Sequence, residues 1–132
     1  CAQKMNQPKR RLDKLGVKTG DYRVVLIGMH DPEFEAELLA RIDRLFKKPV
    51  GDADLVFLRA TSLKDLAKLK SLRAKLAAAG ALWILREKGT AAVVRESEVR
   101  EAAKAAGLVD VKVVAFSETL TADKFVVPIA AR

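Results

Sequence analysis

The chain has 132 residues, half of them apolar and 32% charged, with 25 Lys and Arg against 17 Asp and Glu for a formal charge of +8. That length leaves room for one core, since ~150 residues is a usual single-domain size, and the balance excludes both a disordered chain and a spanning run of about 20 apolar residues. The charge makes the surface attractive to polyanions, while the single Cys1 and single His30 exclude an intrachain disulfide, a Cys-x-x-Cys pair and a His-rich metal site.

Residues 1–20 carry Lys4, Lys9, Arg10, Arg11, Lys14 and Lys18 against Asp13 alone. With Leu12 and Leu15 as a thin apolar stripe, this reads as a basic arm or short helix ending near Gly16, ahead of a single α/β domain over 21–132. A first residue of Cys rather than Met admits a cloning remnant, an upstream segment, or a lipoprotein cleaved before a lipidated Cys. Met5 as a natural start favours the first two, and with them a cytoplasmic protein.

Val24-Val25-Leu26-Ile27 follows the Thr19-Gly20-Asp21 turn, and four consecutive apolar β-formers predict a strand buried on both faces, hence a parallel sheet. Asp31-Pro32-Glu33 then has the grammar of a helix start: a capping Asp, Pro at the first helical position and acids in the first turn. Leu38, Leu39 and Ile42 would face inward. A weak strand falls between Arg41 and Phe46, and Asp54–Arg59 is a firm one.

Leu63, Leu66, Leu69, Leu72 and Leu76 recur at helical spacing after Ser62, with Gly80 as the expected stop. Ala81–Leu85 reads as a third buried strand and 88–95 as a loop. Val99, Ala102, Ala103 and Ala106 predict a further helix stopped by Gly107. Val111–Phe116 and Lys124–Val127 close the chain as strands joined by a 117–123 connection, with Pro128 at a strand end. Trp83, Phe57, Phe116 and Phe125 are expected in the core.

Alternating strands and helices followed by two successive strands predict a three-layer Rossmann-like α/β sandwich, mostly parallel with a C-terminal antiparallel hairpin. That order resembles a small class I S-adenosylmethionine-dependent methyltransferase. Leu15-Gly16-Val17-Lys18-Thr19-Gly20, Gly80-Ala81-Leu82-Trp83, Ala105 to Val113, and Glu118-Thr119 ahead of Lys124-Phe125-Val126 resemble, more narrowly, an uncharacterised bacterial family of domains of unknown function whose members look like degenerate methyltransferases. The similarity runs over about residues 12–127. This chain has Arg86-Glu87-Lys88 where that family has Trp-Pro-Lys, and Leu120 where it has a second Trp.

The resemblance implies a cofactor site, and the residues argue against one. A methyltransferase of this class needs glycines after the first strand so that backbone approaches the cofactor, but here Gly28 is followed by Met29-His30-Asp31-Pro32. Asp43, the nearest acid for ribose hydroxyls, sits inside the weak strand. No cofactor is therefore predicted, with S-adenosylmethionine as the alternative. Phosphate is disfavoured by Asp31, Glu33, Glu35 and Glu37 at the helix start, and no metal site is predicted.

In an open α/β sheet the crevice lies beyond the carboxyl ends of the strands, which brings Gly28, His30, Arg59, Thr61 and Glu87 to one rim as ligand-pocket candidates. None has a partner at a spacing that only catalysis requires, so no catalytic residue is assigned. His30 beside a helix cap and Arg59 paired with a nearby acid is the plainer expectation. The positive charge concentrates in two segments, 1–20 and 59–75, each with six basic residues against one acid. Lys9, Arg10, Arg11, Lys14, Lys64, Lys68 and Lys75 form a polyanion or nucleic-acid surface if the two segments share a face, and are solvated lysines if they oppose each other. The reading is a noncatalytic methyltransferase-like module for binding or structure. The alternatives are a small S-adenosylmethionine-dependent methyltransferase or other ligand-binding enzyme, and a nonspecific nucleic-acid-binding accessory protein.

Overall fold

The computed structural model describes residues 12–17, 20, 22–48, 50–87 and 94–128, apart from the side chains of 63, 78 and 79. The elements in chain order are β1 (Val24–Ile27), α1 (Pro32–Leu39), β2 (Leu45–Phe46), β3 (Ala53–Arg59), α2 (Leu63–Leu66), α3 (Leu69–Lys75), β4 (Leu76–Glu87), α4 (Glu96–Ala105), β5 (Val109–Ala115) and β6 (Leu120–Val126). A turn of helix at 12–15 precedes them. Among the described residues the strands form one six-stranded sheet in the order β2-β1-β3-β4-β6-β5. β1, β2, β3 and β4 run parallel, and β6 is antiparallel to both β4 and β5. The expected parallel sheet with a terminal antiparallel hairpin is therefore present, with the last strand lying inside the sheet and β5 at its edge.

The two faces of the sheet carry separate cores, because neighbouring residues of a strand point to opposite sides. Val25, Ile27, Val56, Leu58, Leu82, Ile84 and Phe125 pack under α2, α3 and α4 through Leu66, Leu69, Leu72, Val99 and Ala103. Val24, Leu26, Leu55, Phe57, Trp83, Leu85 and Ala122 pack under α1 and the N-terminal turn through Phe34, Leu38, Leu12, Leu15 and Val17. β1 is buried at all four positions, as its unbroken apolar run predicts. Trp83, Phe57, Phe116 and Phe125 are all core residues.

Four local expectations need correction. The helix expected from Ser62 to Gly80 is two short helices and the start of a strand. Ala67 N–H bonds to Lys64 O and Lys68 N–H to Asp65 O, tight i to i+3 contacts that close α2. α3 then ends at Lys75, and Leu76 turns extended to pair with Ala53 of β3, a long-range contact overriding helix propensity. Gly80 is accordingly no helix stop. It lies in β4 beside a register shift, where an added Cβ would come 2.6 Å from Ala53 O, so only a glycine allows the strands to close up. Leu39, expected to face inward, is exposed, and Phe34 takes the inward position one turn earlier. The 117–123 connection is shorter than expected, because β6 begins at Leu120. The helix stop at Gly107 is as expected, with Leu108 N–H reaching back to Ala103 O.

Candidate functional site

The chain runs from β1 into the α1 cap through Gly28-Met29-His30. Gly28 has φ +71°, a left-handed conformation that glycine adopts without strain, and a Cβ there would lie 3.5 Å from Arg59 O at the end of β3. Asp31 caps α1 by accepting from Phe34 N–H at 3.1 Å, with Pro32 at the first helical position. Glu35 turns back to accept from Asp31 N–H at 3.3 Å and from Lys47 Nζ at 2.7 Å, and its Oε2 lies 3.8 Å from His30 Nδ1. The hydrogen bond from Lys47 holds the Glu35 carboxyl below its usual range, against the opposing effect of partial burial.

On the neighbouring strand ends, Arg59 Nη2 donates to Glu87 Oε1 at 3.2 Å across β3 and β4. Arg59 is held with its side chain 19% exposed, whereas Glu87 is 54% exposed. The second terminal nitrogen, Arg59 Nη1, is enclosed and has no acceptor among the described residues. Thr61 gives its N–H and its hydroxyl to Asp65 Oδ2 at 2.8 and 2.9 Å, and Ser62 N–H joins them at 3.1 Å. Burial alone would raise the Asp65 pKa, but these three hydrogen bonds and the nearby Lys68 ammonium bring it below the usual value.

The five rim candidates thus divide. Gly28, Arg59 and Glu87 lie together, while His30 and Thr61 are turned toward the caps of α1 and α2. His30, 83% exposed at its side chain and facing Glu35, is a cap neighbour. Lys14 sits in the N-terminal turn beneath the aromatic face of the sheet, and Lys64, Lys68 and Lys75 belong to the helical layer on the other face. Lys9, Arg10 and Arg11 lie outside the described residues. Two cavities lie away from the rim. A groove of about 580 Å³ runs between α2, α3 and α4, lined by Leu66, Leu69, Ala102 and Ala105 among others. A smaller one of about 340 Å³ lies by Arg23, Arg44 and Phe46.

A charged cluster at the end of β4 escaped sequence reasoning. Arg86 Nε donates to Asp123 Oδ2 at 2.7 Å, Arg86 Nη2 reaches Glu96 Oε2 at 3.4 Å, and Glu96 in turn meets Arg100 at 2.6 Å. Asp123 is buried within β6, and only the guanidinium makes that acceptable. The available signal was the Leu120-Thr121-Ala122-Asp123 alternation, which continues the strand pattern upstream of Lys124.

The end of β2 differs from the acid that the resemblance implies there. Asp43 lies before β2 with its N–H on Gly20 O, and the residues following the carboxyl end of β2 are Lys47 and Lys48. A ribose-binding acid is thus replaced by cations, and the first of them is engaged with Glu35. Below the Gly28 loop, Phe34 packs edge-on against Phe57 and Phe116, with centroids 5.3 and 4.7 Å apart. Among the described residues no group of three or more His, Cys, Asp or Glu could hold a metal ion, and no helix is long and apolar enough to cross a membrane.

Comparison with solved structures gives the same architecture. A methyltransferase described as S-adenosylmethionine-dependent, from Aquifex aeolicus, matches with a TM-score of 0.60 at 18% identity, over 89% of this chain and 88% of that one. The mitomycin 7-O-methyltransferase MmcR matches at 0.65 and 12% over 82% of this chain, which spans about half, 49%, of that enzyme. PigF, solved with SAH, matches at 0.63 and 10%, over 81% of this chain and 56% of that one. At such identities the likeness shows the fold alone. No curated protein matches the chain. Residues 14–129 match the family described as a protein of unknown function, DUF3052. The chain belongs to that family and carries a Rossmann-like, methyltransferase-type fold.

Proposed function

We propose that this protein is a methyltransferase-like domain without methyl-transfer activity that serves as a cytoplasmic binding module. The observation that carries this reading is the end of β2, where Lys47 and Lys48 stand in the place of a ribose-binding acid and Lys47 is paired with Glu35. The bulk of Met29 after the lone Gly28, and the ring cluster around Phe34 on which it packs, support it. Calorimetric titration with S-adenosylmethionine and with SAH is expected to show no binding tighter than ~100 µM. A dissociation constant below that value would overturn the reading.

A cofactor-binding reading draws on PigF, which was solved with SAH and shares the fold, and on Gly28, whose positive φ keeps the backbone open at the strand end. The same titration decides between the two. The nucleic-acid reading receives less support, since Lys14 and the lysines of α2 and α3 lie on opposite sides of the sheet.

A further inference from the structure

We propose that Arg59 is the receptor for a small carboxylate ligand, and that Glu87 is a tethered carboxylate which such a ligand displaces. The proposal rests on the binding-module reading and names the ligand class of that module.

A guanidinium presents its donors as a planar fork that matches the two oxygens of a carboxylate, and a two-point contact is much stronger than a single one. Here the fork is half used. Nη2 has one contact to Glu87 Oε1, at 3.2 Å, and Nη1 is enclosed with no acceptor among the described residues. An enclosed charged donor without an acceptor is costly, so exchange of Glu87, once it has moved aside, for a ligand whose two oxygens reach both nitrogens is favoured. The two partners are also unequally fixed. Arg59 is held at the carboxyl end of β3 with its side chain 19% exposed, and the 54% exposure of Glu87 leaves it free to move into water at little loss.

Position and charge narrow the ligand. Arg59 stands beyond the carboxyl end of a central strand, beside the Gly28 loop, where open α/β sheets bind small molecules. With Glu87 displaced, Arg59 has a single positive charge to offer a ligand, and Asp31 at the cap of α1 with Glu33 and Glu35 in its first turn keeps the surroundings acidic. That suits a monoanion. A phosphate dianion would leave excess negative charge beside three acids.

The test is an NMR titration of the full-length ¹⁵N-labelled chain, reading arginine Nε–Hε resonances, with sodium acetate, inorganic phosphate and SAH as separate arms. Acetate is expected to shift the Arg59 resonance saturably, and phosphate is not. Arg59→Gln should weaken acetate binding by about tenfold or more, the effect of losing a charge-assisted hydrogen bond. Glu87→Gln should tighten it severalfold by removing the competitor. If Arg59→Gln does not fold, Glu87→Gln decides alone, because it leaves the receptor intact. An acetate response that survives in Arg59→Gln, that is unchanged or weakened in Glu87→Gln, or that phosphate matches overturns the proposal. SAH binding that disappears in Arg59→Gln would support the carboxylate receptor and sink the noncatalytic reading. Silence from acetate and SAH together would sink the receptor and leave that reading standing.

Discussion

The two faces of the sheet are built from different materials. Under α1 and the N-terminal turn the core is a chain of rings, with Phe116 against Phe34, Phe34 against Phe57, and Phe57 stacked on Trp83 at 6.4 Å and 7°. Under α2, α3 and α4 its buried residues are aliphatic apart from Phe125, with Phe46 half-buried at the margin. The difference follows from coverage. Three helices shield the aliphatic face, so branched side chains suffice to fill it. One eight-residue helix and a short turn shield the other, so each contact there must bury more area and carry directional ring geometry. Trp83 adds a polar anchor, donating its indole N–H to Leu15 O at 3.1 Å in a buried site and so fastening the N-terminal turn to the sheet.

The largest test of this contrast is Phe34→Ala. Phe34 is fully buried and touches two other rings, so its removal should destabilise by about 3–5 kcal/mol in urea unfolding and by more than Leu72→Ala beneath the helices of the other face. If Leu72→Ala proves the costlier, the rings are ordinary filling and the contrast fails. A smaller effect is expected from Trp83→Phe, which keeps an aromatic ring in the stack and removes the bond to Leu15. About 1–3 kcal/mol should be lost, the penalty of a buried carbonyl deprived of its donor. Hydrogen exchange gives the sharper readout. The amides of Gly16 and Val17, which bond back to Asp13 and Leu12, should lose protection while those of β1 keep theirs.

How much of this was legible follows from the range of the interactions. β1 and β3 could be read because unbroken apolar runs have one reading in a parallel sheet, and the α1 start because its cap residues Asp31 and Pro32 act within one turn. The split of 62–80 could not. Leu76 continues the leucine spacing of the preceding helix, and only its pairing with Ala53, on another strand, pulls it into β4. At the rim, strand ends put Arg59 and Glu87 near one another, and their contact spans 28 residues that the fold brings together. Arg86 and Asp123 were invisible for the same reason in reverse. An Asp in mid-strand reads as a loop residue until its partner, 37 residues away, is known.

The aliphatic face has its own fastening, and it is built on a carboxylate. The chain enters α2 with Asp65 gathering Thr61 N–H, Thr61 Oγ1 and Ser62 N–H, so the carboxylate closes the loop that leads from β3 onto that face. Its pKa is lowered from 3.8 on folding. A lowered carboxyl pKa means that the unfolded chain binds more protons, so stability rises with pH through this window. The contribution is complete above the unfolded value and disappears as pH falls through the lower folded one. Asp65→Asn, which keeps an oxygen acceptor but removes its charge, should therefore cost about 1 kcal/mol near neutral pH, and the gap between wild type and variant should narrow on acidification to about pH 2.5, below the ordinary carboxylate range. Thermal unfolding at the two pH values measures this directly. Trp83→Phe, whose lost bond involves no titrating group, should keep its deficit at both. A gap for Asp65→Asn that stays constant with pH would mean that the loop is held by shape and not by the carboxylate's charge.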